Sequence, residues 1–191
     1  VGFSSGELNA LRVENGRTVW SDALARTGRT TAISALTDID ASPVIDRGRV
    51  FAIGHGGRMA AIELSTGQRV WERNFAGVST PWVAGDFIFI VTIDAQLICL
   101  TRGEGKVRWV TQLPHYKDEK KKSGAYSWYG PVLASDRLLL TGSNKTMVSV
   151  SPYTGELLSS VKLSAPAFLP PIVADNQVYV LTDDGKLTAF R

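Results

Sequence analysis

Cysteine occurs once, as Cys99, so no internal disulfide framework is available. The residue lies within LeuIleCysLeu, which reads as a core position and not as a nucleophile. Histidine occurs twice, as His55 and His115, and without a Cys pair that spacing excludes the usual metal-ligand patterns. No window approaches the roughly 18 consecutive apolar residues of a membrane span. The opening ValGlyPheSerSerGly has no basic, apolar and cleavage segments of a signal peptide. Net charge is modest too: the excess is +3, and much of it sits in LysAspGluLysLysLys at 117–122, read here as a solvated loop. A nucleic-acid partner would need basic residues spread over a face and is not expected. No catalytic triad is read from the sequence, and the carboxylate pair singled out is Asp38 and Asp40. Neither catalytic residues nor a metal nor a cofactor is therefore expected.

What the chain has instead is a repeat, carried by 191 residues of which 44% are hydrophobic, enough to bury a core. The tract GRMAAIELSTGQRVW from Gly57 has counterparts at Gly6 (GELNALRVENGRTVW), Ala95 (AQLICLTRGEGKVRW), Lys145 (KTMVSVSPYTGELLS) and Gly185 (GKLTAFR). The four complete copies align Gly16, Gly67, Gly105 and Gly155, and four residues later Trp20, Trp71, Trp109 and Ser159. A second tract starts fourteen residues upstream of each copy but the first, at Pro43, Pro81, Pro131 and Pro171, and the distance from proline to the Trp position is 28 in all three complete cases.

Each unit holds four short alternating or apolar runs separated by glycine or asparagine turns, which is the pattern of hairpins and not of helices. The pairs AsnGly, ThrGly, GluGly and ThrGly at the aligned glycines supply the positive φ of a tight turn between third and fourth strands. A four-stranded meander repeated every 38 to 50 residues predicts an all-β fold of β-propeller blades. The expected layout is part of a blade at 1–20, full blades at 43–71, 81–109 and 131–161, and an incomplete last blade at 171–190, together one partial propeller. Trp20, Trp71 and Trp109 read as blade-to-blade packing in preference to a cofactor platform.

Function on a repeat scaffold tends to sit where the period breaks. Two connectors are long, with 22 residues between Trp20 and Pro43 and 21 between Trp109 and Pro131. The first contains AlaIleSerAlaLeuThrAspIleAsp, in which Ile33, Leu36 and Ile39 accompany Asp38 and Asp40. That mixture suits a protein-binding edge, with apolar anchors and acids able to meet Arg or Lys; the alternative is that the apolar residues fold under the loop and the acids are solvated. The second carries Tyr116, Tyr126, Trp128 and Tyr129, either contact residues or packed at the start of the next blade. GlyHisGlyGly at 54–57 has the look of an oxyanion or phosphate loop, but no helix follows it, and His55 reads as a turn residue.

The glycine, alternation, ThrGlyGln and Trp frame resembles the repeat of pyrroloquinoline-quinone enzymes and their cofactor-free relatives. The enzymes use a vicinal cysteine pair that a chain with only Cys99 cannot supply; a quinoprotein-type dehydrogenase or ligand-binding propeller is the alternative reading. The closer resemblance is to the C-terminal half of the BamB family, lipoproteins of the outer-membrane β-barrel assembly (BAM) machinery. It rests on ThrGlyArgThrThrAlaIleSerAlaLeuThrAspIleAspAlaSerProVal, on PheAlaIleGlyHisGlyGlyArgMetAlaAlaIleGluLeuSerThrGlyGlnArgValTrpGlu and on the final ValTyrValLeuThrAspAspGlyLysLeuThrAlaPheArg. The resemblance implies an eight-bladed ring of which this is about half. It also implies a lipid anchor outside the segment, the periplasmic face of the outer membrane, and a non-enzymatic adaptor role. Implied partners are the POTRA domains of BamA, other BAM components and nascent outer-membrane proteins. The family's docking AspXaaAsp motif matches Asp38 and Asp40, with Ile39 and Leu36 beside them. The 110–130 loop is longer and more basic than the family pattern.

Overall fold

A computed structural model describes residues 1–24 and 38–191. Among these every regular element is a β-strand. β1 (Glu7–Leu11) and β2 (Thr18–Ala23) form a hairpin. β3 (Val44–Asp46), β4 (Arg49–Ile53), β5 (Met59–Glu63) and β6 (Arg69–Arg73) form a four-stranded antiparallel meander. A second meander comprises β7 (Trp82–Ala84), β8 (Phe87–Val91), β9 (Gln96–Thr101) and β10 (Val107–Gln112). After a small hairpin, β11 (Tyr116–Asp118) with β12 (Ser123–Ala125), a third comprises β13 (Trp128–Ala134), β14 (Arg137–Gly142), β15 (Thr146–Val150) and β16 (Leu157–Lys162). β17 (Ile172–Ala174), β18 (Gln177–Leu181) and β19 (Leu187–Phe190) make a three-stranded sheet. These meanders are β-propeller blades, and the chain is a propeller fragment.

Burial follows strand position within the blade. The second and third strands of the first full blade carry ValPheAlaIle and MetAlaAlaIle, all buried, because both of their faces are covered. The outermost strand β6 alternates between buried and exposed positions, with Trp71 inward. Two compact units are distinguished: Val1–Ile88 with Thr101–Lys106, and Phe89–Leu100 with Val107–Arg191. In the first, Leu8, Leu24, Ile39, Val50, Ala52, Ala60 and Ile62 form one buried cluster against which Trp20 and Leu64 pack. In the second, Met147, Leu163, Ala167 and Val180 cluster with Val178 and Phe190.

The repeated tryptophan and glycine meet across successive copies. Trp20 Nε1 donates to the Leu64 carbonyl at 2.8 Å, Trp71 Nε1 to Arg102 at 3.0 Å, and Trp109 Nε1 to Pro152 at 3.1 Å. Each acceptor lies three residues before the next copy's glycine. A Cβ on Gly67 would stand 2.6 Å from Trp20 Cγ, and one on Gly105 or Gly155 2.7 Å from Cε3 of Trp71 or Trp109. The glycines thus meet two demands, positive φ (+74°, +63° and +77°) and room for an indole. Gly16, at φ +67°, has no atom within 4 Å of its Cβ position.

Each tryptophan also requires a small residue opposite it in the sheet. Trp20 pairs with Ala10, Trp71 with Ala61 and Trp109 with Cys99, and in each hairpin the residue before the tryptophan is bulged out. Cys99 is therefore part of the packing rule, the small side chain facing an indole. In the blade that carries Ser159, its hydroxyl lies 2.7 Å from that of Ser149 directly opposite, and β16 is exposed along its length.

Candidate partner-binding site

The described ends of the first long connector are both held by the first compact unit. At its start, Arg69 on β6 donates through Nε (2.7 Å) and Nη2 (2.6 Å) to the two carboxylate oxygens of Asp22 on β2, and Nη2 also reaches the Ala23 carbonyl. Glu72 accepts from Nη1 of the same guanidinium at 2.5 Å. These contacts, Asp22 first, hold the Arg69 pKa above its ordinary value, so the group stays charged throughout. Leu24 follows, 1% exposed, its amide donating to the Gly6 carbonyl at 2.8 Å.

At the far end the chain returns through Asp38, Ile39 and Asp40. The Ile39 amide donates to the Phe3 carbonyl (3.3 Å), and the His55 amide donates to the Asp38 carbonyl (2.9 Å). Both ends converge on one glycine: a Cβ on Gly54 would lie 3.7 Å from Leu24 Cβ and 3.6 Å from the Asp38 carbonyl oxygen. The GlyHisGlyGly turn is thus the seat of the connector, a role beyond the turn residue read at His55 from the sequence. The residues that hold the start, Asp22 and Arg69, gave no sequence signal, because 47 residues separate them and only folding brings them together.

Burial divides the motif. Ile39 is 7% exposed and belongs to the core cluster, while Asp38 is half-buried and Asp40 exposed. Ile39 serves as the peg of the motif, its side chain taken up by the core cluster, and the acids on either side of it are less buried. That reassigns Ile39 from the apolar contact anticipated from the sequence to an anchor; Leu36, its expected companion, lies outside the described residues. Asp40 Oδ2 is 3.9 Å from Nδ1 of His55, a separation that carries attraction to a protonated imidazole but no hydrogen bond. The arrangement offers two carboxylates on a fixed ledge, suited to cationic side chains of a partner.

Among the described residues no group of three or more His, Cys, Asp and Glu is placed to hold a metal ion. Cys99 is buried, and burial pushes its thiol up to about 11, with Arg108 opposing the shift.

Comparison with known proteins bears on this arrangement. A family model described as outer membrane protein assembly factor BamB matches residues 1–111 and 117–191. Similar relatives include the BamB proteins of Salmonella typhimurium, 27% identical over 100% of this chain, and of Escherichia coli, 26% identical over 98%. The chain spans 46% of each, about half the length of the relatives it matches. The crystal structure of BamB from Moraxella catarrhalis superimposes on 99% of the chain and 54% of its own length, with a TM-score of 0.84 at 17% identity, a likeness of fold.

Proposed function

The chain belongs to the family of the outer membrane protein assembly factor BamB, and from that premise we propose that it is part of a non-enzymatic adaptor of the BAM complex. In this reading the protein docks on the periplasmic POTRA domains of BamA, is tethered to the outer membrane by a lipid outside the segment, and assists insertion of nascent outer-membrane proteins.

The observation that carries the proposal is the ledge of Asp38 and Asp40. Backbone bonds to Phe3 and His55, together with burial of Ile39, fix the main chain at these acids. A partner therefore meets a preorganised pair of carboxylates and spends little entropy ordering them. Acids displayed in this way contribute association rate and register when they face arginine or lysine. The surrounding blades supply rigidity and no reactive group is required of them.

The test is capture of BamA by the full-length protein, with wild type compared with the Asp38→Ala plus Asp40→Ala variant. Affinity should fall by about tenfold or more, since loss of interfacial charge partners costs upward of about 2 kcal/mol when they are desolvated. Wild-type affinity in the double variant would remove these residues from the interface.

A further inference from the structure

The second long connector holds a feature that the docking proposal leaves unused. Its charged run is the tip of an ordered antiparallel hairpin, β11 paired with β12 through Tyr116 opposite Ala125 and Asp118 opposite Ser123. The hairpin is mounted firmly on the second unit. The Tyr126 amide donates to the His115 carbonyl at 2.7 Å, Trp128 Nε1 to Pro114 at 2.9 Å, and the Leu113 amide to Ala95 at 2.9 Å. Leu113 and Trp128 are each 3% exposed, and the rings of His115 and Tyr116 lie 4.1 Å apart at the base. The family-model match breaks off at 111 and resumes at 117, at the foot of this hairpin.

The charges at the tip are sorted. Both acids are turned onto the backbone: Glu119 accepts from the amides of His115 (3.3 Å) and Tyr116 (3.1 Å), and Asp118 from those of Lys120 (3.1 Å) and Lys121 (3.0 Å). Lys117, Lys120, Lys121 and Lys122 are exposed, and among the described residues none of their ammonium groups is paired with a carboxylate. Lys122 takes φ +49°, a left-handed turn position that glycine or asparagine would occupy at lower cost.

The chemistry of the tip favours a diffuse anionic surface over a protein patch. Protein hot spots are built on Trp, Tyr and Arg in desolvated pockets, and lysine is depleted at interfaces. This tip has four lysines, no arginine and no exposed large apolar side chain. Clustered lysines act on a charged bilayer by summing their attraction to headgroups, without any need for shape complementarity. We propose that the β11–β12 hairpin is a membrane-surface contact whose lysine tip binds the headgroups of anionic phospholipids. It adds a protein-borne contact with the bilayer to whatever a lipid anchor supplies.

The experiment is co-sedimentation of the full-length protein, purified in non-acylated form, with phosphatidylcholine vesicles that contain or lack phosphatidylglycerol. Wild type should bind the phosphatidylglycerol vesicles and release them as salt is raised. Replacing Lys117, Lys120, Lys121 and Lys122 together by Gln should weaken that binding by about tenfold or more. The matching set of Lys→Arg replacements should retain it, which separates charge from folding. Absence of binding, equal binding to both vesicle types, or unchanged binding by the Gln variant would overturn the proposal. So would a Gln variant that sediments like wild type but no longer captures BamA, an outcome that would make an acidic protein surface the partner.

Discussion

Replacing Gly105 by alanine tests the rule that joins one blade to the next. The residue sits at φ +63°, so a Cβ carries the left-handed penalty of about 1 kcal/mol. The new methyl would also lie 2.7 Å from Trp71 Cε3 and 2.8 Å from Cδ2, inside any ordinary contact distance. Trp71 has little freedom to retreat, because its indole nitrogen is bonded to the Arg102 carbonyl at 3.0 Å and its ring packs against Phe51 at a centroid distance of 6.1 Å. Overpacking of this kind costs about 1–3 kcal/mol, giving a total destabilisation of about 2–4 kcal/mol. Gly85 is the control: its φ is +57°, with nothing within 4 Å of the Cβ position, so Gly85→Ala should cost only the backbone share, about 1 kcal/mol. Urea unfolding of the full-length protein, followed by circular dichroism, measures both. In the Trp71→Ala background the additional cost of Gly105→Ala should shrink to that of the control, since the clashing ring is gone. Equal midpoints for Gly105→Ala and Gly85→Ala in the wild-type background would refute the reasoning.

Other outcomes follow from particular side chains. With its thiol pushed up to about 11, Cys99 should react with a thiol reagent at pH 8 about 100-fold more slowly in the folded protein than after denaturation, because the thiolate is the reactive form; comparable rates in both states would contradict its buried setting. Arg69→Ala should lower stability by about 2 kcal/mol, read as a lower urea midpoint, since it leaves the Asp22 carboxylate, only 16% exposed, without its charged donor. Arg69→Lys should recover little of this loss, as an ammonium cannot reproduce the two-pronged bond, and full recovery would show that charge alone suffices.

Much of the fold was legible in the chain because it is written in local terms. Alternating apolar runs specify strands, and the Xaa-Gly pairs specify turns. A constant 28-residue spacing from proline to the tryptophan position, filled by Ser159 in the third full blade, declares the blade without reference to anything distant in sequence. Even the small residue opposite each tryptophan, at Ala10, Ala61 and Cys99, can be read once the hairpin is drawn. The connector motif was visible as an interruption of the period, and the lysine run as a break in composition.

What could not be read locally depended on neighbours brought together by folding. The repeated glycine looks from the sequence like a turn residue alone; only packing shows that an indole from the preceding copy fills the space where its side chain would be. Ile39 has the composition of a contact residue, and it becomes a buried peg because folding gathers it into one core cluster with Leu8, Leu24 and Val50 from separate segments. The charged run predicts a solvated loop, and the structure makes it the tip of a hairpin by turning Asp118 and Glu119 onto backbone amides. Local periodicity determined which blade strands exist and in what order, since strand and turn preferences act over a few residues. Which side chains are left free to meet a partner was decided by tertiary structure, because burial is a property of what surrounds a residue and not of the residue itself.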